Sequence, residues 1–249
     1  MKKIWLILMV ILLNSNVYGL RVELSNDTFS TSGRAANRNL FVTNNSEKMI
    51  ALEVYAQSRI MDPKTGMDEL DDVEDFLIYP NQLLLQPDEQ QVVTLTWVGE
   101  QEITDELAFR IVVEELNLSL GEDDDGADEM TVKVAALTKV VKAAYVAPPD
   151  AKADVSVSDT EVITNEDGDK LIRVTFDNTG TAHKILKQTK IKLVPIDDSG
   201  AKKSGEEKEY IPDELNGVLN ILAKSQRIVE IEWPEEMNSS YTKVDVSIK

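Results

Sequence analysis

Two neighbouring segments constrain this chain more than any others: 107–116 (LAFRIVVEEL) and 130–148 (MTVKVAALTKVVKAAYVAP). Both read as strands. In the second, Met130, Val132, Val134 and Ala136 project to one face while Thr131, Lys133 and Ala135 project to the other, because side chains of an extended backbone alternate with period two. A monomeric domain normally shortens, bends or charges such an edge to keep it from pairing with other chains. A long aliphatic edge points to strand addition as its use.

The chain has 249 residues, enough for two domains of roughly 100 to 120 residues each. With 42% hydrophobic and 29% charged residues it reads as globular despite its acidity. Residues 1–19 stand apart. Lys2 and Lys3 give a basic start, 4–13 an apolar run, and 14–19 a polar stretch ending in Gly19, the pattern of a secretory signal peptide. Spanning a bilayer takes roughly 20 apolar residues, so the expectation is export and no membrane insertion after signal cleavage.

Cysteine is absent, which excludes disulfides and thiolate metal sites. A formal charge of −19 argues against a nucleic-acid partner, since phosphate binding needs clustered Lys and Arg. The acid runs at 68–75 (DELDDVED) and 122–129 (EDDDGADE) read as solvated turns. A calcium loop does not fit the second run, because counting from Gly126 puts Gly121 at the first ligand position and Val132 at the twelfth.

Elsewhere short alternating segments are separated by turn signals. Strands are expected at 20–24, 39–43, 49–57, 76–79, 83–85 and 92–98, then at 153–158, 171–176, 190–194, 218–222, 227–233 and 241–248. The stretch 147–153 (APPDAKA) reads as a stiff linker, because two prolines remove ladder donors. The residues 206–215 are open to a helical turn. The expectation is an all-β chain of two immunoglobulin-like β-sandwich domains, 20–148 and 149–249. Trp97 and Trp233, at strand ends, are expected in the cores.

His183 is the only histidine, which leaves no material for histidine-rich metal sites. It reads as a turn residue making local hydrogen bonds. No Gly-x-Ser-x-Gly elbow and no phosphate-binding glycine loop is present, so neither an enzyme nor a cofactor is expected.

Several stretches together carry a family resemblance: 39–45 (NLFVTNN), 76–80 (FLIYP), 83–98 (LLLQPDEQQVVTLTWV), 108–116 (AFRIVVEEL) and the long strand ending in Tyr145-Val-Ala-Pro-Pro149. In order and spacing they resemble the PapD-like periplasmic chaperones of chaperone/usher pili. Trp97-Val98-Gly99 and Asn178-Thr-Gly180-x-x-His183 look more like the archaic branch of that family. The resemblance implies two sandwiches in an L-shaped arrangement, a periplasmic location, pilin or fimbrial subunits as cargo and an outer-membrane usher as recipient. It also leaves open a dimer that caps the free edge.

The mechanism implied is donor-strand complementation: the chaperone lends its G1 strand to an incomplete pilin sandwich. Carried onto this chain, the donor side chains are Met130, Val132 and Val134, with Ala136 a smaller fourth. The family also grips the pilin C-terminal carboxylate with a lysine and an arginine. The lysine aligns with Lys139 when the donor triplet anchors the alignment, and with Lys142 when Tyr145 and Pro148 do. The arginine has no counterpart near Asn26, Asp27 and Thr28, which leaves Arg21 or Arg34 as displaced candidates. Arg110 matches an arginine of the F1 strand, either as a core-edge ion pair or as part of the carboxylate cleft. Ala147 replaces a junction arginine, so no salt bridge of that kind is expected. The alternative to a chaperone is a two-domain structural or adhesin subunit of the cell surface, in which the donor segment is covered within its own molecule.

Overall fold

The structure, a computed structural model, describes residues 19–117 and 137–249. The expected signal segment other than Gly19, the second acid run and the donor residues Met130, Val132, Val134 and Ala136 lie outside the described residues.

The first half holds β1 (Leu20–Leu24), β2 (Thr28–Ser30), β3 (Asn37–Asn44), β4 (Ile50–Met61), β5 (Asp68–Asp72), β6 (Phe76–Tyr79), β7 (Gln82–Leu85), β8 (Gln90–Trp97), β9 (Leu107–Glu115) and β10 (Lys139–Ala147). One sheet runs β1-β3-β8-β6; the facing sheet runs β2-β10-β9-β4-β5, with β7 also pairing β4. Alternation places one side of the longer strands in a shared core. Leu40 and Val42, Leu52 and Val54, Val93 and Leu95, and Ile111 and Val113 all point into one core with at most 2% exposure. Trp97 closes that core with Phe76 and Phe109, the ring centroids 5.2 and 5.4 Å away.

The second half holds β11 (Val155–Thr164), β12 (Lys170–Asn178), β13 (Lys184–Lys187), β14 (Ile191–Ile196), β15 (Lys208–Tyr210), β16 (Val218–Ile221), β17 (Gln226–Glu232) and β18 (Lys243–Ile248). They pair as β11-β12-β17, β13-β16 and β15-β14-β18 around a separate core centred on Ile172, Phe176, Ile191 and Leu193. Trp233 packs against its margin, with the Lys170 ammonium 3.7 Å from the ring centroid.

Three readings need correction. Residues 68–72 are not a solvated turn but the edge strand β5, paired with Gln57–Met61 of β4. The region 206–215 holds the short strand β15 and only a single 3-10 turn at Asp213–Leu215, because Pro212 lacks the amide that would extend it backward. The short strands β2 and β13 were not foreseen, since TFS carries one apolar residue and KILK two adjacent ones, which leaves no alternation to read.

Two asparagines tie the sandwiches internally. Asn44 and Asn178 each end a central strand with no side-chain exposure. The Asn44 amide donates to the carbonyls of Lys48, Leu85 and Gln86. That of Asn178 donates to Ala182, Ile221 and Leu222, while its oxygen accepts the amides of Asp154 and Gly180.

Candidate functional site

The expected donor segment continues directly into β10, so β10 and its neighbours define the candidate site. On one side β10 pairs antiparallel with β9 from Lys139–Glu114 to Val146–Leu107. On the other side β2 covers only Tyr145, Val146 and Ala147. Among the described residues the outer edge of β10 from Lys139 to Ala144 has no strand partner. That edge has a polarity fixed by its last bond. The Tyr145 amide donates outward to Asp27 at 2.7 Å, so by alternation the amides of Val141 and Ala143 also face outward.

Parity separates the two lysines. Val140, Ala144 and Val146 pack into the first core, and Lys142 shares their side of the strand. Lys139 stands on the opposite face with Val141, Ala143 and Tyr145. That face continues across β9 and β4 through Glu114 and Tyr55, and the three polar groups meet. The Lys139 ammonium donates to Tyr55 Oη at 2.9 Å and lies 3.5 Å from Glu114 Oε2, while the Tyr55 hydroxyl donates to the same carboxylate at 2.5 Å. The bond to Tyr55 raises the lysine pKa, and that from Tyr55 lowers the glutamate's. The amine stays a cation and the carboxyl an anion at neutral pH. Burial, then the bond to Glu114, raises the tyrosine, so its hydroxyl remains a donor.

Further along the same face Asp68 bridges two arginines. Its carboxylate accepts Arg59 Nε at 2.7 Å and Arg110 Nη2 at 2.5 Å. Burial alone would raise the Asp68 pKa, but the two guanidinium bonds and charges outweigh it and hold the carboxyl below its usual range. Arg110 is therefore a core-edge ion pair in this structure. The missed partner, Asp68, was hidden in an acid run whose next acids, Glu69, Asp71 and Asp72, are exposed. The only available signal was two arginines on adjacent strands in need of a counter-ion.

Neither displaced arginine joins Lys139. Arg21 pairs with Glu23 at 2.6 Å on β1. Arg34 lines an open polar hollow with Ser25, Asn26, Asn37 and Arg38, and Arg38 spends its guanidinium on the Thr28 carbonyl at 2.6 and 2.9 Å. The lysine meets a tyrosine and a glutamate instead.

The far end of the face is closed by the second sandwich. His183 is not confined to local hydrogen bonds: its ring stacks on Tyr145 and bonds Glu106, which lies just before β9. The β4–β5 turn also reaches β17, where Ile228 donates to the Pro63 carbonyl at 2.7 Å. Arg227 donates to the carbonyls of Asp62 and Pro63. Gly66, at φ +71°, leaves the Arg227 guanidinium no room for a Cβ, which would sit 2.5 Å from it. No group of His, Asp or Glu able to hold a metal ion occurs among the described residues.

No protein-family model matches the chain, and no curated protein does. Solved structures do match, over nearly its whole length. One is the CsuC-CsuE chaperone-tip adhesion subunit pre-assembly complex from archaic chaperone-usher Csu pili of Acinetobacter baumannii, with 11% identity, 92% of this chain and 97% of that chain covered, and a TM-score of 0.52. Another is the Salmonella enterica SafA pilin in complex with the SafB chaperone, with 11% identity, 87% and 85% covered, and a TM-score of 0.50. The YadV chaperone matches with 11% identity over 90% of each chain and a TM-score of 0.50. The fold is that of these chaperones: all-β, in two immunoglobulin-like sandwiches.

Proposed function

We propose that this chain is a periplasmic chaperone of pilus assembly that binds exported pilin or fimbrial subunits by strand addition along β10 and passes them to an outer-membrane usher. One observation carries the reading: among the described residues the β10 edge from Lys139 to Ala144 is open while everything behind it is packed. A partner strand laid there would complete the ladder with main-chain bonds, and side chains at alternate positions would supply selectivity. The proposed donor residues are Met130, Val132, Val134 and Ala136, immediately upstream. Each large aliphatic side chain taken into a partner's core would add about 1.5 to 3 kcal/mol.

Lys139 is the preferred anchor for a subunit's terminal carboxylate. It stands on the sheet face shared with β9 and β4, whereas Lys142 lies on the core side of the strand. Arg110 is a weaker candidate because Asp68 already occupies it. The fold likeness to chaperones solved with an adhesion subunit and a pilin supports this partner class.

Co-expression of the chain with the small exported proteins encoded beside it, followed by pull-down, tests the proposal. Val132→Asp is expected to abolish subunit recovery while leaving circular dichroism and the melting temperature unchanged. Lys139→Ala is expected to reduce recovery more than Lys142→Ala. Full retention of the complex by Val132→Asp would overturn the chaperone reading in favour of a structural spacer.

A further inference from the structure

The C-terminal end of β10 is where the two sandwiches touch, and one histidine grips both strands of its ladder. Tyr145 is 1% exposed, and its ring stacks on His183 with centroids 3.8 Å apart and planes 12° from parallel. Its hydroxyl accepts Asn220 Nδ2 at 2.7 Å, a second bond from the same sandwich as His183. Glu106, one residue before β9, has a side chain only 4% exposed. Its Oε1 accepts the His183 backbone amide at 2.9 Å and lies 2.7 Å from the ring Nδ1. Its own amide donates to the Thr181 carbonyl at 2.9 Å. Tyr145 sits opposite Ala108 in the β9–β10 ladder, two residues along from Glu106, so the two gripped points lie diagonally across neighbouring stretches of chain.

We infer that His183, through Tyr145 and Glu106, is a positioning clamp by which the second sandwich fixes the direction in which β10 presents its open edge. The inference rests on the reading of that edge as the partner-binding strand and adds to it a role for the second sandwich. The physical reason is leverage. A strand paired along one flank only is free to twist about its neighbour, and the outer edge from Lys139 to Ala144 has no strand partner among the described residues. A flat aromatic stack resists that twist because rotation of either ring forfeits the contact over its whole face. The buried carboxylate fixes the imidazole plane from the side, so the ring cannot follow a rotating Tyr145.

The test is made on the free protein, without any subunit. Two measurements apply to His183→Ala: amide hydrogen exchange across β10, and interdomain distances between spin labels placed on exposed positions of β8 and β17. Exchange at Val140, Lys142 and Ala144 is expected to rise about threefold to tenfold, the loss expected from removing one aromatic stack. The interdomain distance distribution is expected to broaden, while amides of β12 and β14 in the second core keep their protection. His183→Phe, which keeps a ring and the backbone amide bond to Glu106 and loses only the ring Nδ1 contact, is expected to recover part of the protection. Should His183→Ala fail to fold, Tyr145→Phe replaces it. That variant retains the stack, loses the Asn220 bond and the longer 3.5 Å bond from Arg59 Nη1, and is expected to show a smaller shift in the same direction. Unchanged β10 exchange and unchanged distances, or an equal rise in every strand of both sheets, would overturn the clamp. Either result leaves the edge reading to the pull-down, where full retention of the complex by Val132→Asp, with β10 exchange as in the wild type, would sink that reading alone.

Discussion

At the scale of single residues the most consequential side chain is Asp68, because two guanidiniums depend on it. Arg59, with a side chain 5% exposed, would be left as a buried cation without its carboxylate. Removing one partner of a buried pair typically costs about 3 to 5 kcal/mol, since the remaining charge stays desolvated. Asp68→Asn is therefore expected to lower stability by about 3 kcal/mol in urea denaturation at pH 7. The pH dependence has a definite sign. The carboxyl of Asp68 is depressed in the folded state. Its contribution is thus fully present above the unfolded carboxylate pKa of roughly 4 and is lost as pH falls through the lower folded value. The gap between wild type and Asp68→Asn should narrow steadily below about pH 4; a gap constant down to pH 2 would contradict the ion-pair account.

The same residue shows what the sequence concealed. The acid run at 68–75 has the composition of a solvated turn, and Glu69, Asp71 and Asp72 are indeed exposed. Burial of Asp68 depends on β4 running four residues past its expected end to pair with β5, which only the tertiary register decides. His183 was hidden for a related reason. Its partners Glu106 and Tyr145 are distant in sequence, and no local spacing connects them. Arg110, in contrast, could be read as an ion pair, because a charged residue at strand spacing inside an aliphatic run demands a counter-ion.

Among the elements, the strands were legible wherever alternation ran for five residues or more, and their ends less so: β1 and β6 end where expected, while β4 runs on to Met61 and β11 to Thr164. The ends are set by side-chain knots such as those of Asn44 and Asn178, which replace backbone partners where a central strand stops. Each amide satisfies three carbonyls, two of them on a neighbouring loop or strand. Replacing Asn178 with Ala would remove its bonds to the Ala182 and Ile221 carbonyls and to the Asp154 and Gly180 amides, the Leu222 carbonyl keeping the Ser225 hydroxyl, at about 1 to 3 kcal/mol for each group left buried, dry and unbonded. A loss of about 3 kcal/mol is expected in the unfolding of the second core, with Asn44→Ala doing the same to the first. Gly180 belongs to this knot. A Cβ there would meet the Asp154 amide nitrogen at 2.3 Å and the Lys152 carbonyl at 2.4 Å, both backbone atoms that cannot swing aside. Gly180→Ala should therefore displace the chain at 152–154, the connection from β10, at about 1 to 3 kcal/mol. Thermal melts of Gly180→Ala and Gly168→Ala would check this. Both glycines lie in the second half, but Gly168 has open space around it and only its positive φ to penalise the change.

For the molecule as a whole, the two cores are apolar and the joint between them is polar. Arg227 Nε and Asn220 Oδ1 at that joint are buried with no hydrogen-bond partner among the described residues. Such groups weaken an interface relative to a core, so the joint should open at lower free energy than either sandwich. Net charge acts on the same balance. The chain carries 45 acidic against 26 basic residues, and the compact state must hold that excess together. Exposed pairs such as Lys190–Glu209 and Lys202–Asp245 contribute little and lose that little in salt. Repulsion summed over an excess of −19 is long-ranged, and a Debye length of about 10 Å at 0.1 M removes most of it. The two effects of salt oppose each other, and the excess should win. Raising NaCl from about 10 to about 300 mM at pH 7.5 is expected to increase the melting temperature by several degrees, with the screening length shrinking roughly fivefold over that range. Near pH 4.4, the sequence isoelectric point, the same addition should leave the melting temperature nearly unchanged, because little net charge remains to screen. A melting temperature that falls with salt at pH 7.5 would mean that specific ion pairs, and not collective repulsion, govern the stability of this fold.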